Sequence, residues 1–530
     1  MRTRLGVALL AAALATTTVS ACAGSSNPAT HAVAFLNGGT YTEALTDDPG
    51  AFNPHRNPQI VSYMYLLYDS LVNLTPDGEI VSGLAETWQA NATSATFQLK
   101  AGITCSDGSA LTASQVARNI NFVGDPRNKS ALYGQFTPTS RFHATGDDAG
   151  RTVRVQLPTP FSFPLQTIGF LPIICAKGLE SPAMLTSASN GTGPFVLSQS
   201  APGDHYTLTV RKGYTWGPNG ASTDAPGTPA QIVLKVVANE TTAANLLVSG
   251  AVNQARVAGP DRQRLTAQSL SHFDEHLITG ELWYNQRPGR PGSDIDVRRA
   301  LSAALDLDQL AKVQTSGNGV RSTGLAAIRP KACSGDTVTG QLPAHDPGQA
   351  AALLDRAGWL RSGDGLRQKN GKTLALSLHY AAKDGDGAAA AVELISQKWA
   401  ALGVRVTLSG DDANALNTNI FQTSDFDALW TGINFTLPSS IVPYVSGATP
   451  PAGQNLFAID NAEYTRLAAQ AGQTVGPEGC ALWNKAEQAL FRDADVVPVA
   501  ESVIPYFLRK AQGATNGLQA PIPTSIRLLR

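Results

Sequence analysis

Charge is scarce in this 530-residue chain. Charged residues make up 15%, and 40 Lys+Arg against 41 Asp+Glu leave a formal net charge of -1. With no basic surplus, the chain lacks the electrostatic footprint of a nucleic-acid binder. No long run of like charge marks a disordered tail. Familiar catalytic motifs are missing too: there is no GxSxG nucleophile elbow, no P-loop and no HExxH pair. Beyond the N-terminal region no apolar run reaches the ~18 residues of a membrane-spanning helix. What the chain does have is length, enough for two or more domains and a large core.

The N-terminus is informative. Arg2 and Arg4 precede an apolar stretch at 5–15, followed by Val19-Ser20-Ala21-Cys22. That run is too short for a permanent span and reads as a signal peptide, residues 1–21. Small residues before a cysteine resemble a bacterial lipobox. On that reading Cys22 becomes the first residue and carries a lipid, and 22–33 is a flexible tether. The body is then held on the extracytoplasmic side of the cell membrane. Four further cysteines remain, Cys105, Cys175, Cys333 and Cys480. An even number in an exported chain points to disulfides, with three pairings possible. Their wide spacing argues against zinc.

Three clusters invite chemistry and have plainer readings. His272 and His276 stand four apart, the spacing of one helix face, but no third metal ligand is evident; a solvated loop is the alternative. Asp384-Gly385-Asp386-Gly387 hints at calcium, yet no Glu closes the loop, and a turn before a helix fits as well. Glu43 with Asp47 and Asp48 offers a carboxylate group that a polar turn would equally contain. No metal or cofactor is expected.

Along the chain, 66–71 carries apolar residues at helical spacing and ends in the turn Pro76-Asp77-Gly78. Alternation at Ala95, Phe97 and Leu99 predicts a strand. Thr112 with Gln115 forms a capping-box pattern opening a helix. Strands are predicted at 153–157, 171–174, 206–210, 232–237 and 281–285, with a short helix at 241–249. Asp296 is expected to cap a helix, and Asp346-Pro347 to start another that ends before Gly358. The order strand 374–380, helix 388–402, strand 404–408 predicts a parallel pair with a right-handed crossover, hence α/β architecture. A strand at 426–431, a helix at 482–491 and a returning segment at 496–505 complete the pattern.

The order of these pieces resembles a known family. Tyr68-Asp69-Ser70-Leu71 is similar to "YE-x-L", and the 80–88 segment ending in Trp88 to "P-x-LA-x-SW". Residues 96–103 resemble "YTFxLRxGV", and 107–116 resemble "DGxxLTAxDV". Gly191-Thr192-Gly193-Pro194-Phe195 looks like "GTGPY", and Asn285 with 296–301 like "N…VRxAL". Together they resemble the extracytoplasmic solute-binding proteins of ABC importers, peptide/nickel-binding branch. Over about four hundred residues, shared order is far more specific than any one fragment.

The resemblance implies a two-lobed periplasmic-binding-protein-like fold with two hinge-crossing strands and a large extra subdomain in lobe one. Lobe one would be 34–280 plus 500–530, and lobe two 281–499. Pairing Cys105 with Cys175 and Cys333 with Cys480 would keep each bridge inside one lobe. The implied function is capture of a peptide or similar polar solute between the lobes by hinge closure, and delivery to a membrane permease, by a monomer that is not an enzyme. An exported hydrolase and a non-transport receptor or chaperone are the alternatives. Expected ligand contacts are Tyr41, Asn53, Thr192, Gly193, Trp283, Tyr284, Asn285, Trp430, Gly432 and Asn434; for the two tryptophans ordinary core packing is the alternative. One departure stands out. Peptide-binding relatives resemble "WTGDxxDP", but here Trp430-Thr431-Gly432 is followed by Ile433 and Asn434, without the acid. A buried ammonium needs a counter-charge. Either another acid such as Glu43 or Asp48 serves, or the ligand is not a free-amino peptide.

The lipid reading makes a direct prediction. Cys22→Ala should release the protein from the membrane fraction into the medium or periplasm, as read by fractionation and immunoblot. A variant that stays membrane-bound counts against the anchor.

Overall fold

Two long antiparallel strands, Ser271–Tyr284 and Val496–Leu508, run side by side through the protein. At about 3.4 Å per residue, each spans some 45 Å, enough to traverse two lobes. The structure is a computed structural model that describes residues 34–57, 60–515 and 521–530. The expected signal peptide, Cys22 and tether lie outside the described residues.

These strands are the middle of one eleven-stranded sheet. On one side, Val496–Leu508 pairs with Gln254–Arg256, and the sheet continues through Thr40–Leu45 and Gln231–Val236 to His205–Val210 and Phe195–Ala201. On the other side, Ser271–Tyr284 pairs with Ala428–Thr431, and the sheet continues through Ala375–Ala381 to Arg405–Asp411. The pair 375–381 and 405–411 is parallel and joined by the helix Gly385–Ala401, as the strand–helix–strand pattern predicts. Separate apolar cores lie under the two halves. One holds Tyr41, Leu67, Phe97, Val116 and Ile232; the other side holds clusters around Trp399 and around Trp283. The architecture is α/β and two-lobed, with a single sheet passing through both lobes.

A second, four-stranded sheet forms the added subdomain, in the order Ala85–Asn91, Ser94–Leu99, Thr152–Gln156, His143–Asp147. Ala95, Phe97 and Leu99 alternate inward to its core. The helix Ala113–Gly124 covers it, and Thr112 caps that helix by accepting the Gln115 N–H at 3.3 Å.

Four local expectations fail, each for a tertiary reason. Residues 66–71 are not helical, although a short helix, Val61–Met64, precedes them. Leu66, Leu67, Tyr68, Ser70 and Leu71 are buried on all sides, and the Leu66 and Leu67 carbonyls accept from Phe195 and Gly193. Backbone groups used between segments are unavailable for a helix. Residues 171–174 contribute one isolated bridge, Ile174 to Gly191, because Ile173 bonds to the Asp69 carbonyl instead of a neighbouring strand. The helix Ile295–Ala303 is capped by Asp294, which accepts the Asp296 N–H; Asp296 binds Arg356. His272 and His276 lie on a strand. Their partners are Asp274, at 3.9 Å, and Glu501, at 3.5 Å.

The cysteines form Cys105–Cys175 and Cys333–Cys480, closing sequence separations of 70 and 147 residues. Cross-links over loops this long remove about 4 to 5 kcal/mol of chain entropy each from the unfolded state, on the loop-closure model. Alkylation without reductant should leave the intact mass unchanged, whereas reduction should lower the thermal midpoint. Addition at four thiols before reduction would remove both bridges.

Candidate functional site

The two crossing strands stop pairing in simple register between Ile278 and Glu281. A bulge of this kind bends a strand and re-aims its side chains. Beside it lies a cavity of about 680 Å³, lined from one half by Pro260, Arg262 and Gln263 and from the other by Gln314, Asn318 and Asp384. Next to it is a second cavity of about 640 Å³, lined by Glu43, Asp47, Tyr63, Arg256, Glu275 and Tyr506. Leu277 lines both. Glu275, Leu277 and Thr279 alternate along the strand and so face the same side, which is how one strand serves both cavities.

The two halves also touch away from the crossing. Phe163, from the segment after Thr152–Gln156, packs in the Trp283-containing core, and its ring stacks on Trp483 at 6.2 Å. The Trp483 indole N–H donates to Ser162 at 3.3 Å. Gly78 sits against Pro330, where an added Cβ would approach to 3.0 Å. The space beside the crossing strands is thus bounded by both lobes.

Gly432 and Asn434 line the larger cavity. After Ala428–Thr431 ends, the Asn434 side chain takes over the strand's role: its oxygen accepts the Ile278 N–H at 2.7 Å, and its amide donates to the Ile278 carbonyl at 3.0 Å. Gly432 lets the chain pass; a Cβ there would lie 2.0 Å from the Ile278 oxygen. Both residues therefore shape the crossing as well as the wall.

The other expected contact residues lie off these two walls. Tyr41 is buried and donates to Gln254, one strand away. Asn53 is buried and bonds to the Pro182 carbonyl. Thr192 is buried, and Gly193 lies so close to the Leu67–Tyr68 backbone that a Cβ would meet it at 2.4 Å. Trp283 stacks on Phe457 at 4.6 Å, and Tyr284 shares a hydrogen bond with Ser302. Asn285 ties its strand to Ser424 and Phe426. Trp430 is fully buried and donates to Gln314 at 2.7 Å, so it acts one residue behind the wall. A Cβ on Gly280 would stand 2.6 Å from its ring.

The walls differ in charge. The larger cavity carries amides and hydroxyls with Arg262 and Asp384; Arg262 donates to the Val503 carbonyl at 2.6 Å, and burial pushes the Asp384 carboxyl up. The smaller cavity is acidic. Burial pushes Glu43 up to about 7, against hydrogen bonds from Gln254 and Tyr63. Asp48 is held below the usual carboxylate range, chiefly by the Tyr206 hydroxyl and also by the Gly50 and Gly203 N–H groups. Arg256 is bound to Glu275 at 3.2 Å. Arg256, Glu275, Tyr63 and Tyr506 come from separate segments, and no local pattern connects them. Glu43 and Asp384 were visible in the sequence as polar residues in acidic groups, without a sign that each lines a cavity.

Asn434→Ala should cost about 2 kcal/mol in urea unfolding, since two backbone groups of Ile278 lose their partner. Gly432→Ala should also destabilise, because its methyl meets a backbone oxygen that cannot swing away. Unchanged midpoints for both would contradict this account of the crossing.

A family model described as "Bacterial extracellular solute-binding proteins, family 5 Middle" matches residues 79–452. The nickel-binding periplasmic protein of Escherichia coli is 26% identical over 399 residues, covering 71% of this chain and 72% of that protein. The periplasmic murein peptide-binding protein MppA of the same organism is 23% identical over 497 residues, covering 86% of each. Among solved structures, the ABC transporter substrate binding protein CtaP of Listeria monocytogenes has the same fold, with a TM-score of 0.77 at 18% identity, covering 93% of this chain and 100% of that one. A family match over most of the sequence, on a two-lobed sheet with cavities at its crossing strands, places the chain among the bacterial extracellular solute-binding proteins of family 5.

Proposed function

We propose that this solute-binding protein captures a peptide or a polar solute of similar size between its lobes and presents it to the permease of an ABC importer. The observation that carries the reading is the cavity at the break in the crossing strands, walled by both lobes, with a second cavity adjoining it on the lobe-one side. Volumes of about 680 and 640 Å³ suit a solute larger than a single ion. The lobes divide at the crossing, 34–280 plus 500–530 against 281–499. Contacts made to both walls at once favour the closed arrangement, so the solute itself shifts the hinge equilibrium. Arg262, Gln263, Gln314, Asn318, Gly432 and Asn434 are the contacts this reading assigns. The protein acts as a monomer, anchored outside the membrane through Cys22. Among the described residues no helix is long and apolar enough to cross a membrane.

A binding role without turnover is supported by the relatives, which are named for binding. The runner-up is a hydrolase, and one polar group has a superficial likeness to a relay. His379 Nδ1 lies 2.7 Å from Asp411, but Ser409 donates to the same carboxylate at 2.6 Å. Serine and histidine bind the two oxygens of one acid there, so the serine donates to the carboxylate, whereas a nucleophile must donate to the histidine.

Native mass spectrometry of protein purified from its own host should show a co-purifying solute that is released intact on denaturation. Small-angle scattering should show a smaller radius of gyration with that solute than without it. Recovery of a cleaved product, or a bound solute with no change in dimensions, would sink the capture-and-close reading.

A further inference from the structure

Resting on the reading that the interlobe cavity and the one adjoining it at Leu277 hold the solute, we propose that the solute carries an organic cation, an ammonium or guanidinium group, and that Glu43 is the anion that pairs with it. Glu43 is 5% exposed at the end of the strand Thr40–Leu45 and forms part of the wall of the 640 Å³ cavity. Its partners are neutral: the Tyr63 hydroxyl donates to it at 3.3 Å, and Gln254 supplies the other hydrogen bond. A buried carboxylate with no opposite charge is costly, and a cation brought by the ligand removes that cost.

The rest of the wall points the same way. Asp47, Asp48 and Glu275 stand on it with Glu43, against Arg256. That guanidinium is already committed to Glu275. Four carboxylates against one guanidinium repel an anionic solute and attract a cationic one. Asp48, the other acid that could have replaced the missing one after Gly432, is occupied by Tyr206 and two backbone N–H groups. Asp47 is exposed to water, which leaves Glu43 as the buried acid of this wall with neutral partners. Tyr63 and Tyr506 add aromatic surface beside it, which favours an organic ammonium. Among the described residues no three His, Cys, Asp or Glu side chains converge as a metal site, so a bare metal ion lacks the ligand set it needs.

Burial also makes the pairing sensitive to pH. The groups facing Glu43 are Tyr41 on its own strand, Tyr63, and Tyr506 with Glu275 on the crossing strands; Arg256 and the loop acids Asp47 and Asp48 complete the set. Burial pushes the three phenols up, so they stay neutral. Glu43, pushed up to about 7, is protonated below neutrality and ionised above it. A cation binds the ionised form. For a cation that stays protonated over this range, such as an alkyl ammonium, affinity therefore rises with pH and levels off, by about tenfold between about pH 6 and about pH 8; a peptide α-amino group, with a pKa of about 8, gives a smaller rise followed by a fall.

The test is thermal-shift titration of the full mature protein with three probes: a pool of short peptides lacking Lys and Arg, with free amino groups, plus an alkyl diamine; the same peptides N-acetylated; and nickel ion alone. The first pool should raise the midpoint in the wild type, with the tenfold pH dependence for the diamine. In Glu43→Gln that shift should fall by at least tenfold in affinity and lose its pH dependence. The variant itself should melt no lower than wild type above neutral pH, because it removes a buried ionised group. Should the variant fail to fold, the wild-type pH profile of the first pool decides. Equal binding of the acetylated pool, a Glu43-dependent shift with nickel alone, a flat pH profile, or no shift with any free amine each overturns the proposal. An acetylated peptide that binds and shrinks the protein in scattering would overturn the cation while leaving interlobe capture standing.

Discussion

The pairing of Ser271–Tyr284 with Val496–Leu508 is the constraint on which the rest of this structure depends. Hydrogen bonds hold the strands together from Ser271 opposite Leu508 to Trp283 opposite Val496. A sheet resists stretching along its strands and in its hydrogen-bonded plane but twists and bends readily at a bulge. On the capture-and-close reading, the break between Ile278 and Glu281 is where the two halves would change their angle. Ile278 pairs with Glu501 at the edge of this break, and on its other side, beyond the end of Ala428–Thr431, Asn434 supplies partners from its side chain. Bulge, cavity wall and strand pairing share the same few residues.

Around that crossing, bulky aromatic residues act as supports. Trp430 lies behind the cavity, touching it through Gln314, and Trp283 sits in the core against Phe457. Their size makes them effective core residues, and burying an indole with its N–H bonded is a stable arrangement. The surfaces a solute would meet are polar instead: amides and hydroxyls in the larger cavity, carboxylates in the smaller one. Orientation by polar groups on a rigid aromatic backing fits a protein that must hold a solute and then release it.

Motif, fold and site were legible to different degrees. Gly191 and Gly193 stood out as part of a family-like motif, and their role proves to be close packing on Leu67 and Tyr68. The motif names the family because it builds the scaffold, and scaffold contacts are what relatives with different ligands share. The run at 66–71 misled because its apolar spacing reflects burial on every side, and its carbonyls bond to 193 and 195. Asp294 displaced Asp296 as a helix cap because two acids stood two residues apart, and Arg356, sixty residues away, took the second.

Residue order alone carries most of the strand and helix succession, the capped helices at Thr112 and Asp346, the α/β class, and the family; each rests on local periodicity or on fragments in a fixed order. The disulfide pairing followed once the lobes were assigned. Tertiary structure alone decided which polar residues share a wall. Glu43, Tyr63, Arg256, Glu275 and Tyr506 come together because the strands carrying most of them are neighbours in one sheet, though more than four hundred residues separate the first from the last. It also separated Glu43 from Asp48, two acids that look alike in the chain. One is spent on Tyr206 and two backbone N–H groups; the other is buried with neutral partners and no counter-charge. That difference is one of desolvation and hydrogen bonding, which depend on three-dimensional surroundings that residue order does not carry.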